Sequence, residues 1–284
     1  MYSGNVPNLS RPQGSPALKI PTALITGASS GIGEALARCF AAGGYRLVLV
    51  ARGEAKLRAL AGQLTAEFGV QAAVHAADLS QPAAAALLAA ALRRKRIAVD
   101  VLVNNAGVLE QGPFAAMAAE RHQALIDLNV SGLTAMLGHF VPPMLRRGQG
   151  RVLNVASIAA FQPVPTLATY AATKAYVLSL TETLAEELAG TGVTVTALCP
   201  GITATTMLTK ATAANPQLAQ LPRMMVSEVD AVAREGYRAC LAGEVISVPG
   251  ALNQALVVGG RIAPRWLVRR VAGAAARSQR KAPR

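Results

Sequence analysis

A chain of 284 residues, 52% of them hydrophobic, is long enough to bury one large core, as a single α/β domain or as two small ones. The formal net charge of +13 invites a nucleic-acid or membrane partner, but eight cationic residues follow Gly260 with no acid among them, which leaves a body of only about +5. Three cysteines, Cys39, Cys199 and Cys240, stand far apart without a CxxC pair, which argues against a zinc or dithiol centre and fits a reducing, cytoplasmic setting.

The first twenty residues, MYSGNVPNLSRPQGSPALKI, carry proline, glycine and serine and no apolar stretch of signal-peptide length, so they are expected to form a loose arm. From Thr22 onward, short β-branched runs alternate with alanine-rich stretches of helical length. TALIT, RLVLVA, VQAAVHA, VDVLVN, RVLNVA, VTVTALC and EVISVP are the expected strands. Each is apolar at most positions, as strands covered by helices on both faces are. The pattern predicts one doubly wound α/β domain over residues 21–250, with a mostly parallel seven-stranded sheet, followed by a basic helical extension over 251–284. No apolar run approaches the roughly 18 residues of a membrane-spanning helix, so no span is expected. Such a sheet binds ligands beyond the carboxyl ends of its strands, where strand order reverses.

Residues of chemical interest fall at those strand ends. TGASSGIG places Gly27, Gly31 and Gly33 in a strand-to-helix turn. There glycine permits close approach, and the helix amino terminus directs free N–H groups at a pyrophosphate. After the second strand stands Ala51–Arg52 where an acid would favour NAD; an arginine instead suits a 2′-phosphate, unless it merely decorates a solvated loop. Asp78 follows the third strand and NNAG, Asn104 to Gly107, the fourth. Asn129 sits in DLNVSG and Ser157 just beyond RVLNVA. Tyr170 and Lys174 lie four apart on one helix, hence on one face, and Pro200–Gly201 follows the sixth strand.

In this order, TGxxxGxG, Asp78, NNAG, Asn129, Ser157, YxxxK and Pro200–Gly201 resemble the short-chain dehydrogenases/reductases over roughly residues 20–250. The resemblance implies an enzyme interconverting a carbonyl and an alcohol by hydride transfer. It implies a nicotinamide dinucleotide, with NADP(H) preferred over NAD(H) on the strength of Arg52. The implied cofactor contacts are Gly27, Ser29, Ser30, Gly31, Ile32, Gly33, Arg52, Asp78, Leu79, Asn105, Ala106, Gly107, Tyr170, Lys174, Pro200, Gly201 and Thr205. Asp78 is alternatively a helix N-cap, Asn104 is read as a tie between strands, and Thr203 and Thr206 compete with Thr205.

The implied catalytic set is Asn129, Ser157, Tyr170 and Lys174. Tyr170 is the acid, with its ordinary pKa near 10 lowered by Lys174 within about 4 to 6 Å. Ser157 polarises the substrate oxygen, and Asn129 distorts its helix and holds a water linking Lys174 to solvent. Each also has an ordinary role, Ser157 and Asn129 as cap or turn residues and Tyr170 as a core aromatic. His75, His122 and His139 have no ligand spacing, so no metal is expected.

The substrate wall is expected in IAAFQPVPTLA and in TTMLTKATAANPQLAQLPRMM, with Ser157, Phe161 and Met207 as contacts and a hydrophobic small molecule as substrate. Trp266, Leu267 and Val271 in the arginine-rich tail form an apolar stripe that could meet anionic lipid or pack on a partner. No nucleic-acid motif accompanies the charge. A homodimer or homotetramer is expected through the helices holding Asn129 and Tyr170. The alternative to an enzyme is a non-catalytic dinucleotide sensor or scaffold on the same fold.

Overall fold

The protein is described here by a computed structural model covering residues 20–205, 208 and 226–281. The expected arm, apart from Ile20, lies outside the described residues. Strands β1 (Thr22–Thr26), β2 (Arg46–Ala51), β3 (Ala72–Ala76), β4 (Val101–Asn104), β5 (Gly150–Val155), β6 (Val193–Leu198) and β7 (Ile246–Ser247) form one parallel sheet in the order β3-β2-β1-β4-β5-β6-β7. The helices are α1 (Gly31–Ala42), α2 (Glu54–Phe68), α3 (Ala84–Arg94), α4 (Ala119–Ile126), α5 (Leu133–Arg147), α6 (Ala168–Glu187), α7 (Val229–Ala242), α8 (Ala251–Ile262) and α9 (Arg265–Lys281). All seven expected strands form, but β7 is cut to two residues as the chain turns at Pro249 and Gly250.

Side chains of successive residues leave a strand on opposite faces, so the parallel register sorts the core into two layers. Val48, Leu24, Leu102, Val152 and Val195 form one row across the sheet, packed with Leu88, Met136 and Val177 of α3, α5 and α6. One step along, Leu49, Ile25, Val103 and Leu153 face Leu36, Leu57 and Val232 of α1, α2 and α7. All five residues of β1 are buried, which explains its lack of alternation.

The stretch Ala119–Arg147 is long and apolar enough by composition to cross a membrane. Its Leu125, Leu133, Met136, Leu137 and Phe140 are buried within the protein, as in a core helix. Strand order runs outward from β1 to β3 and then, from β4, outward the other way. The carboxyl ends of β1 and β4 therefore flank the crevice where such sheets take their ligands.

Candidate functional site

The turn after β1 is built by mutual close approach. A Cβ on Gly33 would collide with the Gly27 carbonyl and the Asn105 amide, and Gly31 holds φ +60 at the start of α1. Ser30, the N-cap of α1, makes no side-chain cap, so the first-turn N–H groups are left for an anion.

Thr26 locks this turn to the loop after β4. Its hydroxyl donates to the Val103 carbonyl at 3.1 Å and accepts from the Asn105 and Ala106 N–H groups at 2.9 and 3.0 Å. The Asn105 side chain donates to the Thr26 and Gly27 carbonyls at 3.0 and 3.2 Å, so it positions the turn instead of reaching outward. Sequence reading missed Thr26, although its place as the last residue of β1 was visible. Asn104 donates to Asn154 of β5 at 2.9 Å, tying the two strands, and Asn154 donates to Thr181 of α6.

Arg52 is exposed after β2, facing Asp78 across the ends of β2 and β3. The Ser80 hydroxyl and N–H hold the Asp78 carboxyl below its usual range, with Arg52 adding to this. Asp78 closes a turn onto Ser80 at 2.8 and 3.1 Å and does not cap α3, whose N-cap is Ala83. The Leu79 side chain lies in the core, which leaves only its main chain to meet a ligand.

On the other side of the crevice, α6 presents Tyr170 and Lys174, both buried. The Lys174 ammonium donates to the Val155 carbonyl at 2.8 Å and lies 5.8 Å from the centre of the Tyr170 ring. Burial lowers its pKa to about 8. Burial pushes the Tyr170 phenol up, and a hydrogen bond with the Ser157 hydroxyl draws it partly back. Desolvation outweighs the Ser157 hydrogen bond at Tyr170, while the Lys174 ammonium is engaged by the Val155 carbonyl.

Ser157 follows β5 in extended conformation, its oxygen also accepting from Ala159 N–H at 3.2 Å. Cys199 is fully buried beside Lys174, its thiol pushed up to about 12 by burial, which leaves it inert.

Asn129 sits in a π-helical widening, Asp127–Gly132, between α4 and α5, so its helix is distorted as anticipated. Its carbonyl accepts from Val108 N–H, and its amide donates to the Val108 carbonyl and the Thr173 hydroxyl, at 2.9, 2.9 and 3.2 Å. The side chain thus clamps the loop after β4 to α6. A Cβ on Gly107 would come 3.2 Å from the Asn129 oxygen and 3.6 Å from the Lys174 nitrogen, so this glycine lets the loop pass over both.

A cavity of about 510 Å³ joins these groups, running from Ile32, Asn105 and Gly107 past Ser157, Tyr170 and Lys174 to Pro200, Gly201, Thr203 and Thr205. Its outer wall is mainly apolar, including Leu109, Val164, Leu167, Ile202, Leu208 and, unexpectedly, Ala272 of α9. Among the described residues that line it, Lys174 is the one with a charged side chain. Phe161, expected as a substrate contact, packs against the core under Arg261, whose guanidinium lies 5.0 Å from the ring centre. Met207 and Thr206 lie outside the described residues. Ser29, Ser30, Gly31, Ala106 and Arg52 border the crevice without lining the cavity. The Thr205 methyl approaches to 3.2 Å of a Cβ placed on Gly31.

A family model described as short chain dehydrogenase matches residues 21–216. The chain belongs to the short-chain dehydrogenases/reductases. It is an oxidoreductase of that family, and its single parallel sheet is the family's Rossmann-type fold. It is 35% identical over 244 residues to a 3-oxoacyl-(acyl-carrier-protein) reductase of Synechocystis sp., covering 83% of this chain and 98% of the relative. A short-chain dehydrogenase from Sphingobium yanoikuyae in complex with NADPH superposes with a TM-score of 0.76 at 36% identity, over 85% of this chain and 93% of the other. A bulky-bulky ketone specific alcohol dehydrogenase from Comamonas testosteroni gives 0.72 at 31% identity, over 85% and 92%.

Proposed function

We propose that this chain is an NADP(H)-dependent reductase of neutral, bulky hydrophobic ketones or aldehydes, reversible as an alcohol dehydrogenase. The observation that carries the reading is the buried Tyr170–Lys174 pair with Ser157 beside it, opening into a mainly apolar cavity whose described lining residues include no carboxylate. Among the described lining residues Lys174 alone could pair a charged substrate, whose burial costs several kcal/mol without a full set of partners. The names of the relatives, a ketoacyl reductase, an NADPH complex and a bulky ketone dehydrogenase, agree with this class.

The nicotinamide dinucleotide fits the residues present. The glycine turn leaves room for backbone approach, the uncapped α1 terminus suits the pyrophosphate, and exposed Arg52 suits a 2′-phosphate. When bound, the cofactor supplies the reducing equivalent to the carbonyl carbon.

The chain's own residues handle the proton. A phenol is protonated at neutral pH, and burial strengthens this at Tyr170, so its hydroxyl is available as the donor to the substrate oxygen. Ser157 aligns that hydroxyl and contributes a second hydrogen bond to the oxygen. The Lys174 ammonium offsets the negative charge left on the phenol, and the clamp from Asn129 fixes the loop beside it. Thr205 and the Pro200–Gly201 turn close the cofactor side. An apolar hollow on the outer face of α4 and α6, lined by Phe114, Ile126, Val130 and Ala172, supports the expected self-association through those helices.

The test is a panel of neutral ketones and keto acids followed by NADPH absorbance. Bulky neutral ketones are expected to be turned over fastest. Tyr170→Phe is expected to lose about 10³-fold in kcat, within the roughly 10²- to 10⁴-fold range of general acid catalysis, with NADPH affinity changed less than about twofold. Unchanged turnover would refute Tyr170 as the acid. A wild-type protein that binds NADPH and reduces none of the panel would make it the sensor.

A further inference from the structure

The carboxyl-terminal helices differ from the rest of the surface. Seven of the thirteen exposed large apolar side chains among the described residues lie between Leu252 and Val271: Leu252, Leu256, Val258, Ile262, Trp266, Leu267 and Val271. Monomer surfaces scatter such residues singly, and a cluster of them marks a contact surface.

On α9 the aliphatic residues share one side. Val268 and Ala272, one turn apart, face inward and are partly covered, with Ala272 reaching the cavity. Leu267 and Val271, also one turn apart, are exposed beside them. The opposite side carries Arg265, Arg269, Arg270 and Arg277, with Trp266 among them and the Arg270 guanidinium 5.9 Å from the Trp266 ring centre. No acidic residue follows Glu244 in the sequence. Arg261 is already engaged, 3.5 Å from Glu182 and stacked over Phe161, and anchors the end of α8 to the body.

We propose that α9, with the exposed apolar edge of α8, docks the protein on an anionic lipid bilayer. Apolar residues would enter the headgroup boundary while the arginines meet lipid phosphates, as amphipathic interfacial helices do. A second copy of the chain fits less well. A two-fold contact sets a patch against itself, and this one would bring arginines together without a carboxylate to receive them. A soluble acidic partner would account for the arginines but not for the exposed leucines, valines and isoleucine. Because Ala272 of the docked helix walls the cavity, docking holds the apolar cavity near the lipid in which an apolar carbonyl compound dissolves. The docking does not depend on the reductase reading, and neither does its test.

Trp266 is the sole tryptophan in the chain, so its fluorescence reports on this helix without labelling. The full chain is mixed with vesicles of phosphatidylcholine alone or with about one third phosphatidylglycerol, at low and at high salt. Co-sedimentation is expected with the anionic vesicles only, with a blue-shifted Trp266 emission, and both should fade as added salt screens the charges. Arg265→Gln, Arg269→Gln and Arg270→Gln should each weaken partitioning about fivefold, the equivalent of about 1 kcal/mol per cation near an anionic surface. These side chains are exposed, and an unchanged thermal melt checks that each variant is folded. Leu267→Ser with Val271→Ser should abolish the blue shift.

Absence of sedimentation with anionic vesicles at low salt would overturn the proposal. So would equal binding to neutral vesicles, or binding that leaves the Trp266 spectrum unmoved. A sedimentation-velocity mass that falls when Leu267 and Val271 are replaced would assign the patch to a second copy, and would overturn it too. Tyr170→Phe protein should bind vesicles like the wild type, which separates this outcome from any failure of the reductase chemistry.

Discussion

The two flanks of the crevice are made of different material. On the β1–β3 flank the chain offers mainly backbone: a turn without Cβ atoms, the open end of α1, and one exposed arginine near Asp78. On the β4–β6 flank it offers buried polar side chains, nearly all with named partners: Asn104 to Asn154 to Thr181, Asn129 to Val108 and Thr173, and Lys174 to Val155. A nucleotide with several charged oxygens can be held by N–H groups in a solvated rim. A proton donor needs a fixed, desolvated side chain whose pKa the surroundings set. The contrast teaches that substitutions on the first flank act through shape and affinity, and those on the second through protonation and rate.

The strongest way to break this comparison is Gly33→Ala. The added methyl meets the Gly27 carbonyl and the Asn105 amide, groups that the turn cannot move. The expected result is a loss of about 3 kcal/mol in denaturant unfolding, at the upper end of overpacking costs, with NADPH binding weakened at least tenfold. A variant of native stability and affinity would show that close packing does not shape this flank.

Arg52→Ala should leave stability unchanged and weaken NADPH by about 10- to 100-fold, as loss of a charge-assisted contact of about 1.5–3 kcal/mol predicts, while NADH affinity stays put. Titration with both nucleotides checks it; an equal loss for both would remove the 2′-phosphate from the account.

The smallest effect sharpens the other flank. Lys174 in the folded protein titrates near 8 against an ordinary 10.5, so between those values the unfolded chain binds more protons and stability rises with pH. Cys199 and Cys240, pushed up to about 12, act in the opposite sense only above about pH 9, where unfolded thiols ionise. Between pH 8 and 9 the wild type should therefore gain up to about 1.4 kcal/mol relative to Lys174→Met, read from urea unfolding of both. A flat difference would mean that the buried ammonium is not destabilised.

Much of this was legible beforehand, for reasons specific to particular residues. The seven strands announced themselves because strands buried on both faces must be apolar at most positions, and Gly27, Gly31 and Gly33 did so because only glycine fits that turn. Asn104 as a strand tie was readable from its place at the end of β4. Less legible were groups whose partners are distant in sequence. Asn129 meets Val108 and Thr173, Asn105 turns back to Thr26 and Gly27, Phe161 lies under Arg261, and Ala272 reaches the cavity across more than a hundred residues from Tyr170.

By itself, then, the order of residues determined the layers, the turn that can face an anion, and the helix face shared by Tyr170 and Lys174. Periodicity and steric need are local properties. Only the tertiary structure decided that Lys174 is desolvated, that Tyr170 answers to burial and Ser157, and that the carboxyl-terminal helix walls the cavity. Desolvation and long-range contact depend on what the rest of the chain places nearby, and no spacing along a sequence encodes that.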